Sequence, residues 1–79
     1  MISVYQIKAG RVMLGWSAVE LAGRAGVSPA TIKKYEMQTG IPNANIRILS
    51  AVKSVLESAG IEFTGDPLVN PGVTLHVSK

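Results

Sequence analysis

The sequence contains no cysteine, which removes disulfides and thiolate metal sites together and suits a reducing compartment. It has one histidine, His76. A lone histidine in a polar, strand-like stretch reads as a surface residue, and with no second histidine beside it a metal site is not expected. Although 47% of the residues are hydrophobic, none of the apolar runs approaches the roughly 18 residues of a membrane span. The N-terminal stretch MISVYQIKAG lacks the basic-then-apolar pattern of a signal peptide. Neither a nucleophile motif nor a phosphate-binding loop is visible, so an enzyme is not expected, and no cofactor or small-molecule ligand is evident. These absences point to a soluble, cytoplasmic chain with no membrane partner. At 79 residues it makes one domain near the lower limit of what a hydrophobic core alone sustains, so self-association is a useful source of further buried area.

What is present is unevenly spread. The net charge is +3, yet up to Glu57 seven cations (Lys8, Arg11, Arg24, Lys33, Lys34, Arg47, Lys53) face three anions (Glu20, Glu36, Glu57), while the remainder carries Lys79 against Glu62 and Asp66. The basic part coincides with the part that reads as helical. A modest basic excess usually means only a solvated surface, so the placement of the cations has to decide whether they meet a polyanion.

From Tyr5 to Leu14 apolar residues recur at helical spacing, and Gly15 follows as a C-terminal cap. Ser17 then offers an N-cap with Glu20 three residues on, a capping box, and Trp16 before it can staple onto Leu21. The second helix runs to Gly26, which can take the positive φ of an abrupt stop. In the segment GVSPATIKKYE, residues 26–36, a third helix begins at once: Ser28 as N-cap, Pro29 at the first helical position, Val27 stapled to Ile32. At about 100° per residue Ala30, Lys33, Lys34 and Met37 share one face, and Ile32, Tyr35 and Glu36 the other.

Two helices joined by a short glycine-containing turn form a helix-turn-helix, whose steric demands can be checked position by position. Ala22 is the small residue required where the helices cross, and Gly26 makes the turn. Apolar contacts are needed at Leu21, Ala25, Val27, Ile32 and Tyr35, and each position is filled suitably.

Through IKAGRVMLGWSAVELAGRAGVSPATIKKYE and the helix after it, roughly Ile7 to Leu56, the chain resembles the lambda-repressor-like, or Cro/C1-type, helix-turn-helix regulators of phages and bacteria. The resemblance implies a mainly α fold, a four-helix lambda-repressor-like domain. It implies that Arg11 of the first helix pairs with Glu36 closing the third, so that Glu36 is an anchor and not an acid catalyst. It also implies a third helix in the major groove of double-stranded DNA, with Pro29, Ala30, Lys33 and Lys34 toward the bases, Thr31 at a phosphate and the N-cap Ser28 among the DNA-binding residues. Many relatives carry a glutamine where this chain has Ala18 and another polar reader where it has Pro29. The phosphate clamp is therefore expected from Ser17, Arg24 or the first amides of the second helix.

Beyond Thr39-Gly40-Ile41-Pro42, Asn43 or Asn45 is expected to cap a fourth helix with an apolar stripe of Ile46, Leu49, Val52, Val55 and Leu56 ending at Ala59-Gly60. Where the family often has a fifth helix, IEFT (61–64) and VTLHV (73–77) read as a two-stranded β-ribbon. Residues 1–60 are thus expected to be the helix-turn-helix DNA-binding part and 61–79 a ribbon of the same domain. Unpaired ribbon edges favour a homodimer, which would read a two-half-site operator, although the ribbon can also fold back as a cover for the core. The expected function is a transcriptional regulator, a repressor acting by promoter occupancy and responding to its own concentration. The alternative is a protein-interaction module, an antitoxin-like or antiactivator-like adaptor.

Overall fold

The computed structural model describes residues 1–77. Four helices, α1 (Val4–Met13), α2 (Ala18–Ala25), α3 (Pro29–Glu36) and α4 (Ile46–Ser58), precede two short strands, β1 (Ile61–Thr64) and β2 (Gly72–Leu75). The chain is mainly α with a C-terminal antiparallel ribbon, in which Ile61 faces Leu75 and Phe63 faces Val73.

The first helix starts a residue before the expected Tyr5, because Ser3 and Gln6 form a reciprocal capping box. The Ser3 N–H donates to Gln6 Oε1 at 2.9 Å and the Gln6 N–H to Ser3 Oγ at 3.2 Å. Gly15, at φ 73°, follows the helix as anticipated. The second capping box is only half made. Ser17 Oγ accepts from the Glu20 N–H at 3.0 Å, but the Glu20 carboxylate is turned along the helix to Arg24. An arginine one turn on is the stronger partner for it than a single backbone N–H.

Past the end of α2 the Val27 N–H bonds the Ala22 carbonyl at 2.9 Å, and Gly26 sits at φ 71°, ψ 30°. Both are features of the glycine-terminated helix stop, in which the left-handed residue lets the chain reverse within three positions. Ser28 Oγ then accepts from the Thr31 N–H and opens α3, with Pro29 at its start. Trp16 and Val27 lie half-buried against a core that includes Leu21 and Ile32, as the staples require.

That core also takes in Ile7, Ala22, Val52 and Leu56. Asn45, not Asn43, caps α4, its Oδ1 accepting from the Arg47 N–H at 2.8 Å. The α4 stripe is shorter than expected: Leu49, Val52 and Leu56 are buried and Val55 half-buried, whereas Ile46 is 74% exposed. Ile46 occupies the first helical position, at the rim of a shallow pocket that Met1 and Lys53 also line.

The ribbon lies on the same core. Ile61 is 3% exposed and belongs to the central cluster, with Phe63, Val73 and Leu75 packed against it. Strand β2 spans Gly72–Leu75, ending before the expected Val77, though the His76 N–H still bonds the Gly60 carbonyl at 2.8 Å. Gln6 clasps the ribbon from α1, its Nε2 donating to the Thr64 and Gly72 carbonyls at 3.2 and 3.0 Å. At the ribbon's far end Gly65 is irreplaceable: at φ 73° a Cβ would stand 2.0 Å from the Asn70 carbonyl oxygen.

Candidate nucleic-acid interface

Helix α3 divides as its sequence requires. Ile32 and Tyr35 are buried, and Pro29, Ala30, Lys33, Lys34 and Met37 are exposed on the opposite side. Glu36, at the end of the buried side, receives a two-pronged hydrogen bond from Arg11, Nε to Oε2 and Nη2 to Oε1, both 2.6 Å. The pair is largely enclosed, with the side chains 16% and 10% exposed. A third Arg11 bond, from Nη1 to the Trp16 carbonyl at 3.2 Å, ties the same guanidinium to the loop before α2. One arginine thus joins α1, the entry to α2 and the end of α3. The hydrogen bond to Glu36 raises the Arg11 pKa above its ordinary value; burial works against this, and the nearby negative charge adds to it.

Arg24 of α2 also has a carboxylate partner. Arg24 donates to Glu20 Oε2 from Nε and Nη2 at 3.1 and 2.9 Å, and its guanidinium lies 4.3 Å from the centre of the Trp16 ring. The cleft it lines, of about 410 Å³, is completed by Ser54, Val55, Ser58 and Ala59 of the α4 end. Arg24 therefore stands on the flank of α2 that meets α4, half-exposed, with two of its five N–H donors on Glu20.

Lys33 and Lys34 differ from both arginines. Among the described residues neither has a carboxylate within ion-pair distance, and both occupy the last turn of α3, where cations are favoured by the helix dipole. At the opposite end Ser28 Oγ and Thr31 Oγ1 are 2.9 Å apart. A hydroxyl keeps spare acceptor and donor capacity in such a pair, so the mouth of α3 presents two linked hydroxyls and Pro29 to solvent. Ser17 is exposed at the start of α2. The sequence-chosen residues thus fall into three groups: Pro29, Ala30, Lys33 and Lys34 along the open face of α3; Ser28, Thr31 and Ser17 at two helix starts; and Arg24 apart, against Trp16. Sequence reasoning did not single out Gln6. Ser3 three residues before it spells a capping box, but its bonds to the ribbon span 58 and 66 residues and leave no local sign.

Among the described residues no group of histidine and acidic side chains is placed to hold a metal ion. No helix among them is long and apolar enough to cross a membrane. No curated protein matches the chain. The family model for the helix-turn-helix matches residues 7–52, from α1 into α4 and spanning both helices of the turn. With that match over more than half its length, the chain belongs to the Cro/C1-type helix-turn-helix family of DNA-binding transcription regulators.

Proposed function

We propose that the protein is a sequence-specific regulator that inserts α3 into the major groove of a two-half-site operator, binds it as a homodimer and represses by occupying the promoter. The observation that carries this reading is the open face of α3. Its two lysines lack carboxylate partners among the described residues, while Arg11 is enclosed with Glu36 and Arg24 is paired with Glu20 on the surface of α2. Unpaired ammonium groups on a convex, rigid helix are what a duplex exploits, through guanine O6 and N7 or through phosphates. Ser17, Ser28 and Thr31 then face the backbone from two helix starts, whose free N–H groups favour anions. Arg24, engaged by Glu20 and Trp16, acts by keeping Trp16 and the start of α2 in place. Such a regulator works in the cytoplasm, where the DNA is.

Replacing Lys33 and Lys34 together by alanine is expected to leave folding intact and to cost about 1–3 kcal/mol of operator affinity for each lysine that reads a base. Selection from a random duplex pool supplies the operator, and titration at several salt concentrations separates base readers from phosphate contacts. Loss of a phosphate contact flattens the salt dependence and weakens all sequences alike. A folded double variant with unchanged affinity and selectivity would remove α3 as the reading element.

The homodimer reading rests on the outer edge of β2. Because the His76 N–H bonds the Gly60 carbonyl and Ile61 pairs with Leu75, the Val73 and Leu75 backbone groups point out of the ribbon. Antiparallel addition of a second β2 across a two-fold axis satisfies them. A proline at position 73 removes one outward N–H and none inside the ribbon, as edge strands tolerate. Val73→Pro is expected to be monomeric by light scattering where the parent is dimeric; a variant that stays dimeric would move the interface to the helices.

A further inference from the structure

We propose that Met37 is a specificity-determining residue, reading the C5-methyl group of a thymine beyond the bases met by Lys33 and Lys34. The inference rests on the major-groove reading above and deepens it. Met37 is 85% exposed, more than any other large hydrophobic side chain among the described residues. A single exposed methionine elsewhere would need no explanation. This one continues a face, standing seven residues after Ala30, four after Lys33 and three after Lys34, the spacing of one helical stripe. Its backbone is still helical, at φ −85°, ψ −10°, with its N–H donating to the Lys33 carbonyl at 3.2 Å. The side chain therefore leaves the helix on the lysine side of α3, away from Ile32 and Tyr35.

Reach and chemistry agree. Seven residues at 1.5 Å per residue give a rise of about 10 Å, the length of roughly three base-pair steps at 3.4 Å each. A helix lying along the groove thus offers Ala30 and Met37 to bases about three steps apart, with the two lysines between. A thioether cannot donate a hydrogen bond and accepts only weakly, so it cannot recognise guanine, adenine or cytosine by their polar edges. The one apolar feature of the major groove is the thymine methyl, and a flexible, polarisable methionine adapts to it readily.

The test uses the full chain and a duplex selected by it, in which each thymine in turn is replaced by deoxyuridine, a change that deletes the methyl alone. Affinities are measured for the parent and for Met37→Ala, which removes no buried side chain and whose melting curve is recorded as a control. In each half-site one thymine is expected at which uracil weakens the parent roughly fourfold, the burial of one methyl group, and leaves Met37→Ala unaffected. If every uracil substitution weakens both proteins by equal factors, Met37 reads no methyl, although α3 still reads the site. If no duplex is selected at all, or the lysine double variant binds like the parent, the major-groove reading fails and the Met37 role with it.

Discussion

Glu36→Gln and Arg11→Met are each expected to lower the melting temperature by more than about 10 °C, since breaking an enclosed ion pair costs several kcal/mol and each kcal/mol moves a domain of this size by roughly 4–8 °C. The geometry supports a value well above that of a surface pair. Both carboxylate oxygens are engaged at 2.6 Å and the same guanidinium also holds the Trp16 carbonyl. Removing either side chain strands the other charge in a site that water reaches poorly. Lys8→Ala, which has no ion-pair partner among the described residues, is the control and should melt near the parent. Combining Arg11→Met with Glu36→Leu should recover part of the loss, because an apolar pair leaves no charge uncompensated.

The pH dependence of this contribution follows from its sign. The Arg11 pKa is raised by the hydrogen bond to Glu36, so this group's stabilisation is complete below the unfolded arginine's own pKa. It is lost only as the pH rises through the still higher folded value. Arg11 therefore adds no pH dependence near neutrality. Thermal melts followed by circular dichroism give the comparison directly, and equal melting temperatures for the parent, Glu36→Gln and Arg11→Met would dismiss the pair as a structural anchor.

How much of this was legible in the sequence depends on how far each interaction reaches along the chain. Ser17, Gly26, Ser28 and Pro29 act on the backbone within a few residues, so their residue types alone locate the stops and starts of α2 and α3. The Arg11–Glu36 pair spans 25 residues and was legible only through the family resemblance. Nothing short-range announces Gln6 as the clasp of the ribbon, because its acceptors are backbone carbonyls that any residue supplies. The exposure of Ile46 was equally hidden. Periodicity places it in line with Leu49, but not one turn past the edge of what the other helices cover. On α3 the pattern gave the open face correctly, whereas the diversion of Arg24 to Glu20 and Trp16 required the positions of three side chains.

Ending the chain at Gly60 is expected to abolish cooperative folding, an effect larger than the loss of a dimer. Ile61 is 3% exposed and touches the helical core, and Phe63, Val73 and Leu75 cover it further. Full burial of a side chain of this kind stabilises by about 1.5–3 kcal/mol. One such residue and three partly buried ones together supply roughly 5 kcal/mol, comparable to the total of about 4–12 kcal/mol implied by 0.05–0.15 kcal/mol per residue. Truncation would also open Ile7 and Leu56 to water, since the ribbon rests where α1 and α4 meet. The single variant Ile61→Ala grades the effect: a cost of about 2–4 kcal/mol for the cavity should lower the melting temperature by some 10–25 °C while leaving β2 in place. A truncated chain that melts cooperatively within a few degrees of the parent would show that the four helices stand alone. The expected collapse has a consequence for DNA binding. Loss of operator affinity on truncation would report only an unfolded helix-turn-helix, whereas Val73→Pro keeps Ile61, Phe63 and Leu75 in the cover and removes one outward N–H, so with its melting curve beside it, it separates the ribbon's part in the core from its part in pairing two subunits.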